Sequence, residues 1–109
     1  MNFIFIYITN PDKETARKVA FHLLEKKLIA CANIYEGVNS IYPWEGKIAD
    51  ETECVLIAKT VEKNFEKVKV EVEKIHPYTI PCIVKISVIP NEKYAKWLEG
   101  EVTKRIRAT

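Results

Sequence analysis

The chain has no glutamine, few glycines and histidines, and no apolar run long enough to cross a membrane. The missing glutamine, with many Lys and Glu residues, is typical of heat-adapted proteins and indicates nothing about function. The opening apolar run ends at Thr9 and Asn10, so it is far shorter than the roughly 20 residues of a transmembrane helix. It also lacks the basic flank and cleavage site of a signal peptide. These absences predict a cytoplasmic protein without a membrane partner.

Cysteine is present in an odd number and in no recognisable ligand spacing. Cys31, Cys54 and Cys82 are widely separated, and none belongs to a CxxC pair. A disulfide framework needs paired cysteines, and a zinc ribbon needs closely spaced ones. The sequence therefore favours buried, reduced thiols.

The sequence also lacks the motifs of common enzymes and of nucleic-acid-binding proteins. It contains no GxSxG, no Walker loop, no HExxH and no carboxylate pair on a recognisable scaffold, so we expect no enzymatic activity. Its net charge of +2 is not concentrated in a basic stripe. The apolar strands FIFIYI and CIVKISVI lack the basic and glycine residues of an RNA-binding strand. No nucleic-acid partner is expected.

What the chain does contain is an ordinary globular composition, with 48% apolar and 29% charged residues among 109. This length and composition predict one domain, residues 1–109. Apolar periodicity predicts the order βαββαβ followed by a C-terminal helix. The predicted elements are a strand from Phe3 to Ile8, a helix from an Asp12 N-cap to about Lys27, strands 28–34 and 53–59, a helix from Val61 to His76, a strand from Cys82 to Val88, and a helix from Asn91 that includes Ile106.

This order is the α+β, ferredoxin-like arrangement, in which strands one and three are central and two helices cover one face of an antiparallel sheet. The first strand is apolar on both faces, as a central strand should be. The other sheet face, which includes Val55 and Ile57, would be bare in a monomer. We therefore expect an oligomer.

The segment from Ser40 to Thr60 reads as two strands with an apolar connection. Asn39, Pro43, Gly46 and Asp50 are expected to bend the chain or interrupt pairing. Apolar and aromatic side chains stand between them, namely Ile41, Tyr42, Trp44 and Ile48. A solvated turn does not need such residues, so a partner subunit is expected to cover them.

Five stretches of the sequence occur in order along nearly the whole chain, namely LIACANI from Leu28, SIYPWEGKI from Ser40, Glu53 with LIAKT from Leu56, HPYTIPCI from His76, and YAKWL from Tyr94. Together they resemble the CutA family of divalent-cation tolerance proteins.

The resemblance implies a ferredoxin-like subunit in a homotrimer similar to the PII signal-transduction proteins, with long second and third strands that pair with neighbouring subunits. It further implies a role in tolerance of copper and other divalent ions, while the animal relatives are linked to anchoring of acetylcholinesterase. No catalytic reaction is established for the family. The chain departs from the usual pattern at Pro43-Trp44, where the family often has two aromatic residues. It also has Thr79 where an acidic residue, considered as a metal ligand beside the histidine, commonly follows HPY.

His76 is the leading candidate for a metal ligand, because imidazole suits copper and zinc and this residue ends a helix beside a rigid turn. Cys31 and Cys82 are candidates to add thiolate for a soft ion such as Cu(I). The alternative is that His76 only terminates the helix and forms local hydrogen bonds. The remaining histidine, His22, is expected to face solvent.

A second set of residues is a candidate for lining an intersubunit cleft. Its aromatic members are Tyr42, Trp44, Tyr78 and Trp97, with Glu53 and Lys59 beside them. Aromatic walls with one fixed cation would suit a small anionic ligand. Alternatively, the aromatic residues pack at a subunit interface, and Lys59 extends to water from a strand end.

Three functions follow from these observations. The first is a trimeric metal-binding or metal-responsive protein. The second is a PII-like sensor of a small anionic molecule. The third is a scaffold that presents a trimeric surface to a protein partner, which the sequence does not identify.

Overall fold

A four-stranded antiparallel sheet organises residues 1–103, the part of the chain described by the computed structural model. The strand order is β2-β3-β1-β4, so the ferredoxin-like order and the central positions of strands one and three are confirmed. Ile106 of the predicted last helix lies outside the described residues. The elements are β1 (Phe3–Asn10), α1 (Lys13–Glu25), β2 (Cys31–Trp44), β3 (Lys47–Val61), a 3-10 turn (Glu62–Asn64), α2 (Phe65–Ile75), β4 (Ile83–Val88) and α3 (Glu92–Thr103).

The hydrophobic core lies between the sheet and helices α1 and α2. Alternate residues of β1 contribute Ile4, Ile6 and Ile8, and all three side chains are fully buried. Strand β3 adds Cys54, Leu56 and Ala58 on the same face, because they pair with the even residues of β1. The helices complete this core with Ala16, Val19, Ala20, Leu23, Val68 and Val72.

Helix α1 begins and ends with side-chain and backbone caps. The Asp12 carboxylate accepts a hydrogen bond of 2.7 Å from the backbone N–H of Thr15, which confirms the predicted N-cap. At the other end, Lys27 has a φ of 58°. The N–H groups of Lys27 and Leu28 donate to the carbonyls of Leu24 and Leu23, at 3.0 and 3.1 Å. This pair of bonds is a Schellman motif.

The predicted strand 28–34 begins too early. The structure starts β2 at Cys31, because the α1 cap and two side-chain donors use the backbone before it. The carbonyl of Leu28 accepts hydrogen bonds from Thr60 Oγ1 at 2.6 Å and from Asn64 Nδ2 at 3.1 Å. Residues 28–30 are therefore a link that is fixed to the end of β3.

Strands β2 and β3 form a hairpin that extends well past the rest of the sheet. Pairing of β1 with β3 stops at Asn10 and Cys54, whereas β2 and β3 stay paired to Trp44 and Lys47. Residues 38–44 and 47–53 therefore project by about 23 Å, at about 3.3 Å per residue. The radius of gyration, 14.9 Å, exceeds the roughly 13 Å of a compact domain of this length.

The prediction of a third strand limited to 53–59, with interrupted pairing around it, is wrong. Pro43 pairs with Ile48 and Asp50 pairs with Ile41 inside the ladder. An edge strand tolerates proline because one side of it makes no ladder bonds. The Asn39 side chain supports pairing by donating to Asp50 Oδ1 at 2.6 Å. The chain reverses only at Glu45 and Gly46, which have φ values of 52° and 78° and form a two-residue turn.

A β-bulge in β2 changes which of its side chains face each side of the sheet. Tyr35 pairs with Val55, but the next aligned pair is Val38 with Glu53, so β2 carries one additional residue. Gly37, within this bulge, has a φ of 72°. Paired residues share a face of the sheet. The face opposite α1 and α2 therefore carries odd-numbered β2 residues before the bulge and even-numbered ones after it. These residues are Cys31, Asn33 and Tyr35, then Val38, Ser40, Tyr42 and Trp44.

This face, called the open face below, is not entirely bare. Helix α3 contacts β3, and the Nζ of Lys59 lies 5.4 Å from the centre of the Phe5 ring and 5.7 Å from that of Tyr94. The prediction that two helices leave the whole face uncovered is therefore wrong at this end. Val84 and Ile86 of β4 stay 49% and 45% exposed.

Candidate ligand cleft

A cavity of about 700 Å³ lies on the open face, between the projecting hairpin and the link that precedes β4. Its volume is within the range of small-molecule sites, about 300 to 1,000 Å³. The residues that line it are Tyr7, Thr9, Ser40, Ile41, Tyr42, Trp44, Glu51, Glu53, Pro77, Tyr78, Thr79 and Cys82.

Strand alternation places two carboxylates in this cleft. Glu51 and Glu53 are two residues apart on β3 and so point to the same face. The ladder pairs Glu51 with Ser40 and Glu53 with Val38. Since the bulge has already changed the alternation of β2, Tyr42 and Trp44 also lie on this face. The cleft therefore combines acidic and aromatic side chains from one hairpin.

The link before β4 contributes Tyr78, which binds the buried carboxylate. The Tyr78 hydroxyl donates a hydrogen bond to Oε2 of Glu53, and Glu53 is only 7% exposed. Burial, then the contact with Glu53, raises the pKa of the Tyr78 phenol well above its ordinary value. Tyr78 is therefore protonated at neutral pH and remains the donor.

His76 positions this link, and both of its ring nitrogens are occupied. Nδ1 accepts a hydrogen bond of 3.2 Å from the backbone N–H of Tyr78. Nε2 lies 2.9 Å from the carbonyl oxygen of Thr9, so it must carry the proton and donate. Burial lowers the pKa of His76, which favours this neutral form. Metal ligation by His76 stays a prediction, and it would require the loss of one of these two hydrogen bonds.

The two cysteines proposed as ligands lie at opposite ends of the sheet. Cys82 lines the cleft, and burial, with the nearby Glu53 charge, raises the pKa of its thiol. Cys31 pairs with Lys59, which is opposite Phe5 on β1. Cys31 is thus about 13 Å along the strands and about 14 Å across them from Cys82. Within residues 1–103, no group of three His, Cys, Asp or Glu side chains could hold a metal ion.

The predicted cleft residues divide into two groups. Tyr42, Trp44, Glu53 and Tyr78 line the cleft together. Lys59 and Trp97 instead lie at the α3 end of the open face. The ring centres of Trp97 and Tyr94 are 5.5 Å apart, and Trp97 is 46% exposed. The cation expected for an anionic ligand is therefore not in the cleft.

Among residues 1–103, the side chains that line the cleft carry negative charge and include no Lys, Arg or His. Desolvation and the charges of Glu51 and Glu53 raise the pKa of Tyr42. The arrangement suits a cation and disfavours an anion. The sequence prediction missed Tyr7, Thr9 and Glu51, although Glu51 could have been found from its position two residues before Glu53 on the same strand.

Comparison with known proteins identifies the family. The pattern of the "CutA1 divalent ion tolerance protein" family matches residues 4–101 of this chain. The chain belongs to the CutA1 family. A divalent-cation tolerance protein CutA from Pyrococcus horikoshii is 45% identical over 102 residues, covering 93% of this chain and 99% of the relative. One from Thermus thermophilus is 42% identical over 94 residues, covering 85% and 91%.

The fold agrees with solved CutA1 structures. The CutA protein of Archaeoglobus fulgidus superimposes with a TM-score of 0.89 at 42% identity, covering 92% of this chain and 98% of that one. That protein is described as a periplasmic divalent cation tolerance protein. In the present chain, no helix among residues 1–103 has the length and apolarity of a membrane span. Membership in the CutA1 family thus supports a role in divalent-cation tolerance.

Proposed function

We propose that this protein acts in divalent-cation tolerance as a cytoplasmic homotrimer that holds a cation in the cleft, with a binding and not a catalytic role. The observation that carries the proposal is the cleft itself, in which Glu51 and Glu53 are the charged side chains contributed by the described residues, 1–103. A cytoplasmic location agrees with the state of the three cysteines, which are free thiols in the structure. Cell fractionation tests this location, and recovery of the protein in a periplasmic fraction would refute the cytoplasmic assignment.

The trimer is supported by the exposed apolar surface of the hairpin. Ile41 and Ile48 are 64% and 79% exposed, and Trp44 is 46% exposed. Strand β2 is also an edge strand over its whole length, so it offers backbone groups for pairing with a neighbouring subunit. A copy of this chain that pairs along the hairpin would cover both the apolar side chains and the strand edge.

Copper is the divalent ion that we propose for the cleft, but one subunit does not complete a site for it. Glu51 and Glu53 supply carboxylate oxygens, and Cys82 lies among the same lining residues. A thiol must lose its proton to bind a metal, and burial of Cys82 opposes that loss. His76, Cys31 and Cys82 do not form one metal centre within a subunit. Water or a second subunit must therefore provide the remaining ligands.

Native mass spectrometry of the metal-free protein, followed by stepwise addition of copper, tests assembly and ion binding on one sample. We expect a trimer that takes up a discrete number of ions per subunit in the wild type and in Glu73→Gln, and less in Glu51→Gln. Glu73 is exposed on α2, outside the cleft, so it controls for the change in net charge. A monomer would refute the assembly. Loss of copper uptake only in His76→Gln would show that copper binds the histidine and not the carboxylates.

A further inference from the structure

We propose that the cleft binds an aliphatic diamine, an organic dication whose two ammonium groups pair with Glu51 and Glu53 while its methylene chain lies against aromatic side chains. The inference rests on the proposed function only in assigning a cation to the cleft. It names a ligand class that differs from a metal ion, and it does not depend on the metal.

The aromatic walls are the first support. Four of the lining residues are aromatic, namely Tyr7, Tyr42, Trp44 and Tyr78. Aromatic faces attract ammonium groups by the cation–π interaction, and most strongly when the site is partly desolvated. They also cover methylene groups, which have no affinity for a hydrated metal ion. The walls therefore suit an organic cation.

The spacing of the two carboxylates is the second support. Residues i and i+2 of a strand are about 7 Å apart on one face, and Glu51 and Glu53 have this relationship on β3. Two ammonium groups separated by four methylene groups span a similar length. The Tyr78 hydroxyl donates to Oε2 of Glu53, so the proposal assigns the ammonium group to Oε1.

The donor set is the third support, because one subunit offers a diamine all of its partners and a metal ion only part of its ligands. Hard divalent cations take about six or more oxygen ligands, and soft ones prefer imidazole or thiolate. No group of three ligating side chains exists among residues 1–103. Each ammonium group, in contrast, needs one carboxylate and an aromatic face, and the cleft provides both.

Isothermal titration calorimetry with butane-1,4-diamine tests the proposal. Two matched ligands isolate the charges: butylamine lacks the second ammonium group, and butane-1,4-diol lacks both. We expect the diamine to bind the wild type at least about tenfold more tightly than butylamine, since a hydrogen bond to a charged group contributes about 1.5 kcal/mol or more. The diol should not bind measurably. Equal affinity for the diamine and the monoamine would overturn the proposal.

Variants locate the site. Glu51→Gln should weaken diamine binding about tenfold, from the same ion-pair contribution, whereas Glu73→Gln should leave it unchanged. Equal weakening in both variants would show that net charge alone attracts the diamine, and the proposal would fail. Because the hairpin contains one of the two tryptophans, the fluorescence of Trp44 in a Trp97→Phe background gives a second readout. The diamine concentration that gives half of the fluorescence change should be about tenfold higher in Glu51→Gln.

A parallel copper titration separates this inference from the proposed function. Uptake of copper without binding of the diamine would refute the inference and leave the metal role standing. Binding of the diamine without uptake of copper would support the inference and refute the metal site. If neither cation binds, both proposals fail.

Discussion

The Tyr78 hydroxyl donates its hydrogen bond to the Glu53 carboxylate across a separation of 25 residues in sequence. The contact joins the link before β4 to the base of the projecting hairpin. Because Glu53 is almost completely buried, its carboxylate depends on such donors in place of water. The same contact therefore closes one wall of the cleft and stabilises the fold around it.

Tyr78→Phe should lower the free energy of unfolding by about 1.5 to 3 kcal/mol, because it leaves a buried carboxylate oxygen without its donor. Tyr35→Phe is the matched control, since Tyr35 is 55% exposed and should change stability little. Urea unfolding at fixed protein concentration measures both, because an oligomer's stability depends on concentration. Equal stability of Tyr78→Phe and the wild type would show that water replaces the phenol.

His76 should make the protein less stable in mild acid. Burial holds its folded pKa below the ordinary 6.5, so below that pH the unfolded chain binds a proton more readily than the folded one. The stabilising contribution is therefore present above about pH 6.5 and is lost as pH falls towards the lowered pKa. Unfolding at about pH 7.5 and about pH 5.5 measures this loss, which His76→Gln should reduce. An identical loss in the variant would assign it to other groups.

Lys27→Gly should stabilise the protein by about 1 kcal/mol, because a left-handed backbone is costly for a residue with a Cβ atom. Lys27 has a φ of 58° in the cap of α1. Lys18→Gly, in the exposed middle of the same helix, should instead destabilise by about 1 kcal/mol. Thermal unfolding compares the two variants, and a loss of stability in both would contradict the assigned cap.

Glu45→Asn should stabilise the hairpin by several tenths to about 1 kcal/mol, because asparagine tolerates the positive φ of a two-residue hairpin turn better than glutamate. Glu45→Ala is the control, since alanine has no such tolerance and should give no gain. The two variants can be compared by chemical denaturation. Equal effects would show that the turn does not keep its conformation in solution.

The core could be predicted from sequence because its pattern is regular. Phe3 to Ile8 is apolar on both faces, and only a central strand with packing on both sides fits that pattern. The hairpin was less predictable, since Pro43 and Asp50 are ordinarily breakers of pairing. Their places in the ladder depend on the edge position of β2 and on the Asn39 hydrogen bond, neither of which is a local property of the sequence.

The candidate site shows the same limit. The sequence grouped Lys59 with Tyr42, Trp44, Glu53 and Tyr78, but the structure separates Lys59 from these four. A strand's alternation gives the face of a residue and not its position along the sheet. Helix α3 then covers Lys59, and helical spacing alone does not say which surface a helix contacts. The hydrogen bonds of His76 depend on Thr9, a residue 67 positions away.

The bulge at Gly37 has a consequence for how this hairpin tolerates changes in length. Removing the one additional residue of β2 at the bulge would restore simple alternation between Tyr35 and Val38, and Tyr42 and Trp44 would stay on the face of Glu51 and Glu53. Removing a single residue between the bulge and Tyr42 would instead rotate Tyr42 and Trp44 to the opposite side of the sheet. Removing one residue from each strand at the tip would shorten the hairpin, and each remaining side chain would stay on its present side of the sheet. Length variation compatible with an intact cleft should therefore occur in pairs at the turn or as loss of the one additional residue at the bulge, and not singly between the two.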